Sequence, residues 1–313
     1  MGVSVFLPLV LPLTAWPVAR LAEQRLHPRT ATRLLTGVAA VMAVCSSVCL
    51  GLVMVVGTAQ LPGNPLPDAW SDPEVRAAVP CDGIAGKAAI PALCAVLVGC
   101  GRNLWRQART RRRAHLALAG LRGTGVAVLR DEAAYAYALP GVRGRGDRVV
   151  VTTALLNRLG GPGERRALFA HERAHLAGRH HRLLLAVHLA ACANPFLLPL
   201  RTAVSYTAER WADEEAARVV GSRRTVARAI GRAALPSHHA PAATLPCLAA
   251  PGPVPRRVAA LLAPAPAARH WPPVFTSVGL AAWGAAVGTA VSAMSSANSA
   301  VTMYLVLEAA TPW

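Results

Sequence analysis

Leu35 to Gly57 is a run of 23 residues without a charge. As a helix it is long enough to cross about 30 Å of hydrocarbon. That run constrains the rest of the chain, because a segment in lipid must satisfy its backbone polar groups internally, as a helix does. Three further stretches read as spans. Val3–Ala19 carries Pro8, Pro12 and Pro17, and Ala88–Leu104 is interrupted by Pro91 and Arg102. Val274–Met294 is uncharged and rich in the small residues that allow close helix packing. The first stretch lacks a charged leader and a cleavage site, so it reads as a span and not a signal peptide. Composition agrees: 54% of residues are hydrophobic and 15% charged, against about 25% charged in soluble domains. The expected fold class is mainly α, a multi-pass α-helical membrane protein with a small α+β domain.

The formal charge is +18, almost all arginine, since Lys87 is the only lysine. Arg20, Arg25, Arg29 and Arg33 lie between the first two spans, and Arg102, Arg106, Arg109, Arg111, Arg112 and Arg113 follow the third. The connection between spans two and three is acidic instead, with Asp68, Asp72, Glu74 and Asp82 against Arg76 and Lys87. Arginine-rich connections stay in the cytoplasm. The expected localisation is therefore a cell membrane, with the amino terminus outside and residues 106–273 inside. A basic chain can also bind nucleic acid, but there is no nucleic-acid motif and only 5% aromatic residues, so no such partner is expected. The seven cysteines form no CxxC pair, which argues against a disulfide framework or a zinc knuckle.

The chain divides into a membrane region of three spans (1–105), a cytoplasmic domain (106–235), a Pro/Ala-rich linker around a short helix at Arg256–Leu262 (236–273), and a last span with a short tail (274–313). In the cytoplasmic part, Tyr135–Leu139 and Arg148–Thr153 are β-prone stretches separated by Pro140-Gly141 and a glycine-rich loop. Glu164 to Ala193 contains no proline and predicts one continuous helix, closed by Asn194-Pro195. A second helix fits Ser205–Val220, with Gly221 as its stop.

The predicted long helix carries His171-Glu172-Arg173-Ala174-His175, an HExxH pattern. Four residues of helix rotate by about 40° net, so both imidazoles project from one face and can bind the same ion. Glu172 beside them can take a proton from metal-bound water. A catalytic zinc site needs three protein ligands and an open position. His181 competes for the third place, because HERAHLAGRHH formally fits HExxHxxGxxH. On a continuous helix, however, His181 turns about 240° away from His175, and no methionine lies close downstream to form the turn that pattern requires. The alternative is Glu209, with Asp213 four residues on along the same face to orient a ligand imidazole. The residue reading favours Glu209. His180, His181 and His188 read as surface or interfacial histidines.

Leu183–Leu200 is almost entirely apolar and long enough to cross once. A crossing would separate Glu209 from the histidines, so the stretch must pack in the domain, lie along the membrane, or dip in and return at Asn194-Pro195.

HERAH, then HLAACANPF, then ERWAD resembles the membrane-embedded gluzincin metallopeptidases. The BlaR/MecR-type antirepressor peptidases share the Asn194-Pro195 feature, and the HtpX-like quality-control peptidases share Ala212-Asp213. The strand pair Tyr135–Gly141 and Val149–Thr153 is similar to one that both groups place before HExxH, and Val254-Pro255-Arg256-Arg257-Val258 is similar to a basic segment of the first. The resemblance implies a gluzincin-type domain at 106–235 holding one Zn2+ through His171, His175 and Glu209, with Glu172 as catalytic general base and Asp213 behind a ligand. It implies a membrane zinc endopeptidase that cleaves a cytoplasmic regulatory protein such as a transcriptional repressor. The alternatives are degradation of misfolded membrane proteins, or a non-catalytic signalling scaffold that kept the fold. The partners are a protein or peptide substrate and the lipid bilayer, and Val149–Val151 is a candidate edge for an extended substrate. Ser295–Trp313 is too short for an extracellular sensor domain, so antibiotic sensing by this chain alone is not expected.

Overall fold

A computed structural model describes residues 2–64, 66–77, 79, 82–120, 125–142, 146–234, 254–266 and 275–311. Among the described residues, four helical segments are long and apolar enough to cross a membrane: Ser4–Arg25, Pro28–Ala59, Gly83–Ala117 and Val278–Ala310. Each overlaps one of the four expected spans, with bounds that run further along the helices. The first ends in α1 (Ala15–Arg25), the second is α2 (Pro28–Ala59) and the third lies in α3 (Asp82–Ala117). Outward-facing apolar side chains such as Val44, Leu97 and Val98 are exposed, as a lipid-facing surface requires.

The prolines of the first span are accommodated by its neighbours. A proline has no N–H, so Pro8 and Pro12 remove the α-helical donors to the carbonyls of Ser4 and Pro8. Ser295 Oγ donates to Ser4 O at 2.8 Å, and Ser46 Oγ donates to Pro8 O at 2.7 Å. Where α2 and α3 cross, a Cβ on Gly86 would lie 2.5 Å from Gly57 Cα, so only glycine allows the backbones this close.

The part that follows the third candidate span begins with three strands, β1 (Gly125–Leu129), β2 (Ala136–Leu139) and β3 (Arg148–Thr152), in the order β1-β3-β2. β3 is central, parallel to β1 and antiparallel to β2 with Tyr137 opposite Val150. Its Arg-Val-Val-Val-Thr run is buried as a central strand should be. The expected edge at Val149–Val151 is therefore not an edge, because a strand the sequence did not signal, β1, covers its other side. Thr152 Oγ1 accepts from Leu155 N and caps α4 (Thr153–Arg158).

Five helices follow: α5 (Pro162–Ala177), α6 (His180–Ala193), α7 (Leu198–Val220), α8 (Arg223–Ala233) and α9 (Val254–Leu262). Val151, Leu155, Leu168, Ala216, Ile230 and Leu261 join them in one core. α10 (Ser277–Ala310) completes the bundle. Most of the 236–273 linker, and with it Cys247, lies outside the described residues, as does Cys81. The five described cysteines outside those positions are free thiols.

Two expectations change here. The helix from Glu164 to Ala193 is not continuous, because α5 stops at Ala177 and α6 starts at His180. Arg179 between them adopts the left-handed conformation at φ 50°. The following helix starts at Leu198, seven residues before Ser205. The apolar stretch 183–200 dips into the bundle and returns. At its turn, Asn194 Nδ2 donates to Leu9 O at 3.2 Å and Ser46 Oγ at 3.0 Å, one on each of the first two candidate spans. Leu197, Leu200 and Val204 pack there with Ala19, Leu35 and Met42.

Candidate metal centre

α5 and α7 run side by side and bring the expected ligand atoms together. His171 Nε2 and His175 Nε2 are 3.1 Å apart. Glu209 Oε2 is 3.5 Å from the first and its Oε1 3.5 Å from the second. His171, His175 and Glu209 thus offer ligand atoms that all lie within 4.8 Å of one another. Ligands of a tetrahedral zinc at 2.0–2.1 Å stand about 3.3 Å apart, so the group fits that ion. Both histidines are buried and Glu209 is 20% exposed.

Each imidazole is held from behind. His171 Nδ1 lies 3.1 Å from Asp213 Oδ1. His175 Nδ1 lies 2.8 Å from His180 Nδ1. If Nε2 of His175 is free to ligate, its proton sits on Nδ1 and is donated to His180, whose own proton is then on Nε2. His180 is fully buried and lies 4.5 Å from the Trp211 ring. It is therefore not a surface histidine. Gly178 makes its place, because a Cβ there would lie 2.6 Å from His180 Cδ2 and overlap Nε2.

Arg257 from α9 closes the other side. Its Nε donates to Asp213 Oδ2 at 2.8 Å and its Nη2 to Asp213 Oδ1 at 2.6 Å. Its Nη1 lies 2.9 Å from Glu209 Oε2. α9 is fixed in turn by Arg223, which donates to the carbonyls of Leu261 and Ala260, and by Arg256, paired with Glu23 of the first span at 2.9 Å.

These charges set the titration of the site. Burial opposes the imidazolium of His171, but the carboxylates of Asp213 and Glu209 prevail and raise its pKa to about 9. His175 is lowered to about 4, by burial above all and against the pull of Glu209. Burial disfavours the carboxylates of Glu209 and Asp213, yet Arg257 and His171 hold both below their ordinary values, joined by His175 at Glu209.

Residues 101–193 match the family model of peptidase family M48. The match spans under a third of the chain, includes the sheet and HExxH, and stops before Glu209 and Asp213. It supports a metallopeptidase of that family. No curated protein and no solved structure gives a match.

His181 is absent from the ligand group. It lines a polar cleft with Arg111, Asp147 and Arg179. Helical phase does not carry from His175 to His181, because the helix breaks at Gly178-Arg179, and the break turns His180 inward. His180 and Arg257 are the contributors that sequence reasoning missed. The HH pair after a glycine was a signal for the first, and the basic segment at 254–258 for the second.

Proposed function

We propose that this chain is an integral-membrane zinc endopeptidase that cleaves a cytoplasmic regulatory protein, with a transcriptional repressor as the favoured class. The convergence of His171, His175 and Glu209, at the end of the bundle where Arg20, Arg25, Arg29 and Arg33 lie, carries this reading. The resemblance to the BlaR/MecR-type peptidases supports the choice of substrate.

Zinc, when bound by these three side chains, supplies the Lewis acidity that makes water nucleophilic near neutral pH and polarises the scissile carbonyl. Glu172, fully buried on the same helix, takes the proton from the attacking water and returns it to the departing amine. Asp213 and His180 hold the ring planes of His171 and His175. The β2 strand, at the edge of the sheet and packed near α5, is the candidate rail for an extended substrate.

The test is Glu172→Gln, expressed in cells and also purified in detergent. Metal content should be retained and cleavage of a model peptide lost by a factor of about 100 to 10,000. In cells, one soluble regulator should accumulate. Accumulation of many membrane proteins would favour the quality-control reading, and undiminished peptide cleavage would remove Glu172 from its role.

A further inference from the structure

A groove of about 920 Å³ runs between α2 and α10. That is within the usual size of a small-molecule site. Its mouth carries Arg29 and Arg33, and its floor runs down along Gly37, Val41, Ala286 and Ala290. From Arg29 to Val41 is twelve residues, or about 18 Å along the helix, comparable to half of a hydrocarbon core of about 30 Å. Below the two arginines the lining is almost entirely apolar, with Thr289 the exception near the middle.

The arginines are set for a ligand. Arg29 Cζ and Arg33 Cζ lie 5.5 and 5.2 Å from the centre of the Trp211 ring. A guanidinium stacked on an aromatic ring keeps its in-plane N–H donors free. Neither arginine forms an ion pair with a described residue, and Glu215, which feels Arg29, is engaged by Arg218. Two exposed cations at the end of a span, above an apolar slot as deep as one leaflet, match one chemistry: an anionic headgroup continuous with an acyl chain.

We propose that this groove binds one anionic phospholipid, its phosphate between Arg29 and Arg33 and one acyl chain along Gly37 and Val41. A zwitterionic lipid fits the slot but brings its own cation to the arginines. The Trp211 ring on which they rest also borders His180, so the lipid site and the metal centre share one platform.

The experiment is native mass spectrometry of the full chain released from nanodiscs of equimolar phosphatidylglycerol and phosphatidylcholine. The wild type should retain one phosphatidylglycerol, with a preference over phosphatidylcholine on the order of thirtyfold for two arginines. The double variant Arg29→Gln/Arg33→Gln should bring that preference to parity. Gly37→Phe should abolish retention of both lipids, since a Cβ at Gly37 meets nothing within 4 Å and the ring enters the slot. Should Gly37→Phe fail to fold, the exposed arginine pair decides alone. Equal retention of the two lipids by the wild type, a preference unchanged in the double variant, or a lipid-free dimer burying the groove would each overturn the proposal.

Discussion

Arg257 clasps Asp213 through two hydrogen bonds, Nε to Oδ2 at 2.8 Å and Nη2 to Oδ1 at 2.6 Å. Both side chains are almost wholly buried, so neither charge has water to fall back on. Arg257→Met would leave Asp213 and Glu209 without their buried cation. The expected cost is roughly 3–5 kcal/mol of stability, read as a lower thermal transition in detergent, with zinc content reduced in parallel. A variant that melts like the wild type and keeps its metal would show that α9 is an ornament of the site.

His180 stands behind His175 as Asp213 stands behind His171. Removing such a partner lowers metal affinity by about 10- to 100-fold. His180→Ala should do so in competition with a chromogenic chelator. Gly178→Ala should reproduce the loss without touching any polar group, because its methyl occupies the volume of the His180 ring. Normal affinity in Gly178→Ala would mean that His180 can move without consequence for His175.

Proton competition follows from the raised pKa of His171. In the metal-free protein this imidazole is charged below about pH 9, and a ligand nitrogen must be neutral. Zinc binding therefore expels a proton, and affinity should fall about tenfold for each pH unit below about 9 from this group alone. His175, lowered to about 4, adds no competition above that value. Zinc titrations with a competing chelator between about pH 6 and 8 read the slope, and a flat profile contradicts it. By the same sign, folding stabilisation from His171 in the metal-free protein is full below its unfolded pKa of about 6.5 and disappears as pH rises through about 9.

Ser46 and Asn194 satisfy backbone carbonyls of the first span inside the bundle. Ser46→Ala leaves Pro8 O without the donor that Pro12 cannot provide, and should cost about 1 kcal/mol. Asn194→Leu removes the link to both Leu9 and Ser46 and should cost more. Reversible unfolding in mixed micelles measures both. Equal stability of all three proteins would show that these carbonyls find other donors.

The spans and the HExxH helix were legible because periodic apolar runs and a fixed i, i+4 spacing are local signals. The approach of Glu209 to the histidines was also legible, through the search for a third ligand on a second helix, although helical phase excluded His181 only on a helix that in fact breaks. That break was hidden because Arg179, a residue that rarely adopts positive φ, takes the left-handed position while Gly178 does not. The role of Arg257 depends on the path of a chain some 44 residues past Asp213, which no local pattern encodes. The central position of β3 depends on β1, whose short, half-exposed run shows little periodicity. The placement of 183–200 was narrowed to three choices by chemistry, and the Asn194 contacts with Leu9 and Ser46 put its turn inside the helix bundle.

That turn at Asn194 has a mechanical consequence. α7 rises from Leu198 beside it as a single unbroken rod, and Glu209 rides eleven residues up, about 17 Å above its start. With its foot tied to Leu9 and Ser46 of the first two candidate spans, the rod acts as a ruler that fixes how far the carboxylate stands from that crossing point. In a bilayer spanned by these helices, a change of thickness would shift the depth at which a peptide must be presented, making membrane thickness itself a parameter of which bonds come within reach.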